Sequence, residues 1–556
     1  MADQTNEDQT NAGATGATGT ARGRVEVHGH PDASGYSSYI TDLHLNLHPA
    51  QIDDLQKWFE HCERVSDFFT LAYYPYHMVR VSDTFGTEAE IDPELMREQW
   101  GRICDFLRER EETDGFVSLP GFEWQGTGED GDHNVYFKTE GPIELPARYQ
   151  QLVETYRGQD VIGIPHHLAY SLGNRGKRWD THDETFSPFV ETFSHHGSSE
   201  RDMTSISMDR HIHMGPRVDE TSVVAGLKRG YHFGIICSGD NHEVPAMVRY
   251  GRAGVWASDY TKDAIWDALT SRRTFGFTGP RIDVYAEAEG HPLGSAFKTA
   301  SDEVAIDVRA TAASKVERVE LYRDGDLSEV KVVPWPTLGA AGTAGAADAL
   351  GPDGTVVRFK FRVELGWGPN VKYFPKATSK LWEGTFEADG RVVGVEPVFA
   401  SFENRYEQVD ERRVTFTAKS QKTGGGVWMR DSAMRTEGFI FEVEAPIESD
   451  VRLTVLGRTF AWPVRQVLAG SFVEVFEDEA KELVESAGHP AEFYRSDAWY
   501  HNAYKVKVYQ GFLSDQYEVS ERFVVRPEAE EHSWFVKVVQ ADGQTAWASP
   551  IWIARA

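Results

Sequence analysis

FGIICSGDNH, residues 233–242, is an apolar run, Phe233–Cys237, that breaks at Ser238-Gly239 and then delivers Asp240 and His242. A short apolar run bounded by glycine and polar residues reads as a buried parallel strand. In barrels and open α/β sheets, the residues that do chemistry sit at the carboxyl ends of strands, where the next loop begins. The same arrangement recurs upstream. VIGIP (161–165) is followed by His166 and His167, FVETF (189–193) by His195 and His196, and FVSLPGFEW (116–124) ends with Glu123. SSYITDLHL carries Asp42 and His44, and DFFTLAYY (67–74) ends with Tyr73 and Tyr74.

Helical patterns lie between these runs. Residues 51–65 place Leu55, Trp58, Phe59, Cys62 and Val65 on one face at helical spacing. Residues 94–111 follow Asp92-Pro93, a capping residue and a proline suited to the first helical position, and carry Leu95, Trp100, Ile103, Phe106 and Leu107 inward. Residues 261–273 begin with Thr261 as N-cap. The alternation predicts an α/β fold with a parallel sheet, open or closed into a barrel. After Gly279-Pro280 the pattern changes to period two, in runs such as 304–308, 316–322, 357–363, 439–444, 451–456, 506–509 and 534–539. Antiparallel β-structure of sandwich type is expected there. The expected division is a disordered tail at 1–23, an α/β metal-binding unit at 24–280, and a β-rich part at 281–556 with a low-complexity loop at 339–354.

Sixteen of the twenty histidines lie between His28 and His242. Imidazole is a common metal ligand and the usual proton carrier near neutral pH. A single histidine is more often a hydrogen-bonded packing residue, and His28, His30, His61, His182 and His232 are read that way. At the strand ends that reading would have to hold independently at five elements. A metal site is therefore expected, and mixed imidazole and carboxylate donors suit Zn²⁺, Mn²⁺ or Fe²⁺ better than Mg²⁺.

The bulk composition bounds the partners. Acidic residues outnumber basic ones 87 to 57 and the net charge is −30, against a nucleic-acid footprint or a polybasic membrane patch. Cys62, Cys104 and Cys237 are too few and too far apart for a disulfide framework or a CxxC zinc site. With no long apolar run and no leader-like segment, a cytoplasmic protein is expected. Oligomerisation stays open. No GxSxG, Walker or dinucleotide-binding pattern is present.

The order Asp-x-His, Glu after a hydrophobic strand, Pro-His-His, His-Gly and Asp-x-His resembles the PHP (polymerase and histidinol phosphatase) superfamily. A closer likeness is to a large, poorly characterised family inside or beside it. That likeness runs through GFEW, GDHNVYF, IPHHLAY, VETFSHHGSSE, CSGDNH and RRTFGFTGPRI, with a β-domain opening on HPLGSAF. The resemblance implies a distorted (β/α)7 barrel with one to three divalent metals, zinc or manganese, at its rim. It implies His44, Glu123, His166, His196, Asp240 and His242 as ligands, with His133 approaching as ligand or proton donor. Two positions depart from the pattern. Asn46 stands where a second histidine is usual, and Ala72-Tyr73-Tyr74 replaces Thr-Asp-His. The lost position is either vacated or rebuilt from His48 or His77.

The implied activity is hydrolysis of a phosphoester or other small, carbohydrate-like ester by a metal-activated water. Alternatives are a lyase or an amide or lactone hydrolase on the same platform, and a binding protein with a degenerate site. Arg175 and Arg178, in RGKRW, read either as a clamp for an anionic small-molecule substrate or as a solvated basic loop. Tyr73 and Tyr74 read as pocket walls or as packing residues. Glu200 is expected to support the loop of His196.

Overall fold

The structure is a computed structural model that describes residues 35–80, 86–201, 217–242, 250–335, 354–366, 379–399, 401–421, 436–490 and 504–556. The expected tail, His28, His30, His211, His213 and nearly all of the 339–354 loop lie outside the described residues.

Three sheets surround the histidine-rich region. In the first, Asn46–Leu47, Phe69–Tyr73 and Ser118–Trp124 run parallel, as expected. His133–Phe137 then returns antiparallel to both Ser118–Trp124 and Val161–Pro165. The cause is the length of the connection. Only residues 125–132 separate the two strands, too few for a crossover helix, so the chain must turn back on itself. In the second sheet Phe189–Ser194 pairs in parallel with Gly234–Cys237. The third is nine-stranded and chiefly antiparallel. It begins Ser37–Thr41, Gly251–Ala257, Thr274–Thr278 and continues through Thr545–Ala548 and His532–Gln540. The arrangement of the described residues is sheet-rich with few helices, its first and second sheets meeting at the parallel Leu45–Asn241 bridge, and it does not establish the expected (β/α)7 barrel.

The pairing Phe275↔Ala548 carries that sheet across residue 280, so the chain's last strands lie beside the histidine-rich region. The link is also made by side chains: the Ile235 amide donates to Ser549 Oγ at 2.8 Å, and Ser549 Oγ donates to the Thr274 carbonyl at 2.6 Å. The rest of the second half forms antiparallel sheets. Val304–Thr311, for example, alternates buried and half-buried residues along its whole length.

The helices follow their capping signals. Asp92 accepts from the amides of Glu94 and Leu95, Pro93 opens the helix Pro93–Asp114, and Gly115 ends it at φ 64°. Met96, Gln99, Trp100, Ile103, Cys104 and Leu107 face the core, whereas Leu95, expected inside, is exposed in the first turn. The 51–65 segment splits into a 3-10 turn, Pro49–Asp54, and the helix Leu55–Val65, with all five expected apolar residues buried. The third is Lys262–Thr270, with Thr261 accepting from the Ala264 amide.

Candidate metal centre

The strand ends converge. His44, Glu123, His166, His167, His196 and Asp240 are all buried, and they sort with Asp132 into three overlapping groups whose donor atoms lie within 4.8 Å of one another. The groups are His44–Glu123–His166, Asp132–His166–His167 and His167–His196–Asp240. His166 and His167 belong to two groups each, so the donors form one continuous cluster. A further link comes from His44, whose Nε2 lies 3.3 Å from both Glu123 Oε2 and Asp240 Oδ1.

Local backbone explains the convergence. His167 (φ 35°), Arg175 (φ 64°) and Asp240 (φ 52°) are non-glycine residues in the left-handed region. Each costs on the order of 1–3 kcal/mol and persists where surrounding contacts over-determine it. Asp42 Oδ1 accepts from the amides of His44, at 3.0 Å, and Gly239, at 2.8 Å, tying the first rim segment to the CSGDNH turn. A Cβ on Gly239 would meet Asp42 Oδ2 at 2.3 Å, so this close approach requires glycine. The Asn46 amide also donates to the Asn241 carbonyl at 3.0 Å.

Ion pairing sets the protonation states. Burial opposes a charge on His44, yet Asp240, Glu123 and Glu191 hold its pKa well above the ordinary histidine value. Asp240 is itself buried but is held well below the usual carboxylate range by His44 and His196. Burial raises Asp42 to about 7 despite its two amide donors. Burial and the neighbouring His44 and His167 rings push His166 well below the histidine value, so it is neutral.

His166 supplies the test of fit for a cation. Both of its ring nitrogens are buried without a hydrogen-bond partner, and its Nε2 lies 3.9 Å from Glu123 Oε1. Buried polar atoms are normally satisfied, and an orphaned, neutral imidazole facing carboxylates is the donor set that divalent transition metals take. The proton on His44 Nε2, facing two carboxylates at 3.3 Å, stands where a cation would draw the same oxygens. The residues therefore fit the group.

The sequence-predicted ligands are unevenly placed. His44, Glu123, His166, His196 and Asp240 come together. His242 joins at the edge, with Nε2 3.0 Å from Asp240 Oδ1 and Nδ1 3.0 Å from His48 Nε2. Asn46 itself lies against Asp240 and His242, at 3.4 and 3.3 Å, while His48 reaches the edge of the cluster through His242 and His77 is exposed on the hairpin strand Tyr76–Arg80. His133 is not in any of the three groups. Its Nδ1 donates to the Gly131 carbonyl at 3.0 Å, and its Nε2 faces Lys177 Nζ at 3.3 Å, so both nitrogens are used. Tyr73 turns away from the cluster: its ring lies in the core and its hydroxyl donates to Gln99 at 2.7 Å. Tyr74, one residue later, faces the other way, accepting from Gln125 at 2.7 Å and donating to Glu88.

Both arginines of the RGKRW stretch are paired with carboxylates. Arg175 is held by Asp132 and, at 2.9 Å, by Glu88, so two carboxylates neutralise it. Arg178 Nε lies 3.3 Å from Asp130, which also takes Arg148. The pairing of Asp132 with Arg175 makes the middle of the three groups the poorest place for a cation.

Three residues passed over as ligands or supports emerge. Glu191 Oε2 lies 2.8 Å from His44 Nδ1 and accepts from the Ser238 hydroxyl, while Oε1 accepts from the His167 amide at 3.2 Å. Its sequence signal is a lone carboxylate inside the apolar strand FVETF. Tyr170 Oη shares a hydrogen bond with His196 Nδ1 at 2.8 Å. Arg217 lies close enough to offset part of the burial-driven rise of the Tyr170 phenol, and its own Nε is buried without a partner.

Comparison with known proteins gives partial matches. A family model described as a protein of unknown function (DUF3604) matches residues 237–291, which include Asp240 and His242. An uncharacterized protein of Chlamydia pneumoniae is 25% identical over 278 residues, 44% of this chain and 42% of the relative. One of Chlamydia trachomatis serovar D is 23% identical over 274 residues, with the same coverage. The matched region thus spans less than half of these relatives' length. Among solved structures, the chain is similar to a two-domain protein of Bacteroides vulgatus containing a predicted PHP-like metal-dependent phosphoesterase. That match has 14% identity and a TM-score of 0.32, over 52% of this chain and 81% of the other. Among the described residues, no helix is long and apolar enough to cross a membrane.

Proposed function

We propose that this protein is a metal-dependent hydrolase of phosphoesters or related small anionic esters. The observation that carries the reading is the buried, unpartnered His166 set among Glu123, His44 and His167. His44, Glu123 and His166 would hold one cation, and His167, His196 and Asp240 a second. His48 and His242 border the second group. Bound divalent metal supplies a Lewis acid and a water that is deprotonated near neutral pH.

The density of buried carboxylates supports cation binding. Asp42, Glu123, Asp132, Glu191 and Asp240 are buried together, and the guanidinium of Arg175 is already shared between Asp132 and Glu88. Buried carboxylates are tolerated when they are paired or coordinate metal. The chain's own groups do the rest: Tyr170 orients His196, Glu191 orients His44, and Arg217 offers a cation beside Tyr170 for the substrate's charge.

Elemental analysis of the purified protein, with a panel of phosphoesters, lactones and amides, tests the reading. At least one zinc or manganese per chain is expected, with phosphoester turnover lost to chelation and regained with Mn²⁺ or Zn²⁺. Less than one metal per chain, and no turnover on restoring either ion, would overturn it. The anion-recognition role separates two variants. Arg217→Ala is expected to raise KM for an anionic ester about tenfold, the loss of roughly 1.4 kcal/mol of charge-assisted binding. Tyr73→Phe, in the core, should leave both kcat and KM unchanged. Equal kinetics for the two would remove Arg217 from the substrate.

A further inference from the structure

Glu200 is a buried carboxylate that none of the candidate metal groups uses. Its Oε2 accepts from Lys537 Nζ at 2.8 Å and from the Trp547 indole at 2.9 Å. Lys537 is buried too, with Nζ 5.4 Å from the Tyr322 ring centre and 5.5 Å from that of Trp547. A carboxylate and an ammonium removed from water are costly unless both are well satisfied. Here the satisfaction spans 337 residues of chain and joins two parts of the molecule.

The near side of the pair is the loop of His196. From His196 the chain passes Gly197 at φ 92° and reaches Glu200 four residues on. The loop is held at its start by the His195 amide on the Gly239 carbonyl at 3.3 Å and the His196 amide on Ser194 Oγ at 3.3 Å. It is held at its end by the Ser199 amide on the Thr192 carbonyl at 2.7 Å and the Val224 amide on the Glu200 carbonyl at 3.0 Å. The far side of the pair is rigid sheet: Lys537 and Trp547 are register partners on neighbouring strands, His532–Gln540 and Thr545–Ala548. That sheet continues into Thr274–Thr278.

We propose that Glu200, clamped by Lys537 and Trp547, is a positioning residue for His196, so that the chain's last strands complete the His167–His196–Asp240 cation site. This rests on the metal-binding reading of that site. A positioning group outside the ligands typically changes affinity 10–100-fold.

Titration of the metal-free full chain with Co²⁺ alone, followed by visible absorption and calorimetry, tests it. His196→Ala first identifies the binding step that depends on His196. The paired change Glu200→Gln with Lys537→Met removes both charges while keeping an oxygen for the Trp547 indole, which disturbs the fold less than deleting a single charge. The expected result is a wild-type melt, with the His196-dependent step weakened at least tenfold and its cobalt band altered, while the other step keeps its affinity. Wild-type affinity at the His196 step would overturn the proposal, as would equal weakening of every step or a collapsed melt, which would make the pair purely structural. If the wild-type chain itself binds no cobalt, the metal reading falls and takes this inference with it.

Discussion

His166→Ala is expected to lose metal and hydrolytic activity together without lowering the stability of the metal-free protein by more than a few tenths of a kcal/mol to about 2 kcal/mol. The asymmetry follows from its environment. Both ring nitrogens are buried without a hydrogen-bond partner, so no such bond is broken. An unsatisfied buried polar group costs about 1–3 kcal/mol, and its removal offsets much of the cavity that alanine leaves. A core histidine that served only packing and hydrogen bonding would behave oppositely, with unfolding as the main effect. Metal affinity should fall by more than about 100-fold, beyond the usual range for losing an outer partner. Asp240→Ala should lose metal as well, but with a destabilised fold, because Asp240 Oδ2 pairs with His196 at 2.7 Å and Oδ1 with His242 at 3.0 Å. His489→Ala, far along the chain in the β-rich half, should alter neither property. Metal retained in both site variants would refute the ligand assignment. Elemental analysis and thermal melts with and without chelator read both quantities.

The sequence made the site more legible than the fold. Side chains at strand ends can be picked out one element at a time, because a buried apolar run followed by His or Asp is a local signal. The same locality made the helices readable through Asp92-Pro93 and Thr261. Strand direction is not local. The return of His133–Phe137 depended on an eight-residue connection, and GDHNVYF looked like a motif rather than a strand. The nine-stranded sheet was further out of reach, since Phe275 finds its partner at Ala548. Tyr73 and Tyr74 show the finer limit. Neighbours on a strand point to opposite faces, and only the packing decides which one meets the cluster. Arg175 shows another: its pairing with Glu88 and Asp132, distant in sequence, is not visible from the basic stretch alone.

Glu191 carries the second large effect. Its carboxylate takes three donors at once: His44 Nδ1 at 2.8 Å, the Ser238 hydroxyl, and the His167 amide at 3.2 Å. Because a carboxylate only accepts, the Nδ1 of His44 must carry its proton toward Glu191. That fixes Nε2 as the nitrogen left for a cation, facing Glu123 and Asp240 at 3.3 Å each. The same carboxylate steadies His167 at its left-handed φ of 35°, so one side chain orients donors from two of the groups. Glu191→Gln keeps the shape but gives the amide two donors of its own. One oxygen cannot serve all three partners, and an NH₂ group is forced against His44 or against the His167 amide. Metal affinity should drop about 10–100-fold, with both groups affected rather than one. Glu191→Ala should go further and destabilise the fold by about 3–5 kcal/mol, since it strands buried donors and leaves His44 with carboxylates on one side only. The contrast with Glu200 is sharp: losing the Glu200 clamp should touch the His196-dependent step alone, whereas Glu191→Gln should weaken every step. Calorimetric titration of the two variants side by side decides between them. If Glu191→Gln leaves binding as tight as in the wild type, then His44 does not use Nε2 as a ligand, and the cation site has been built from the wrong nitrogen.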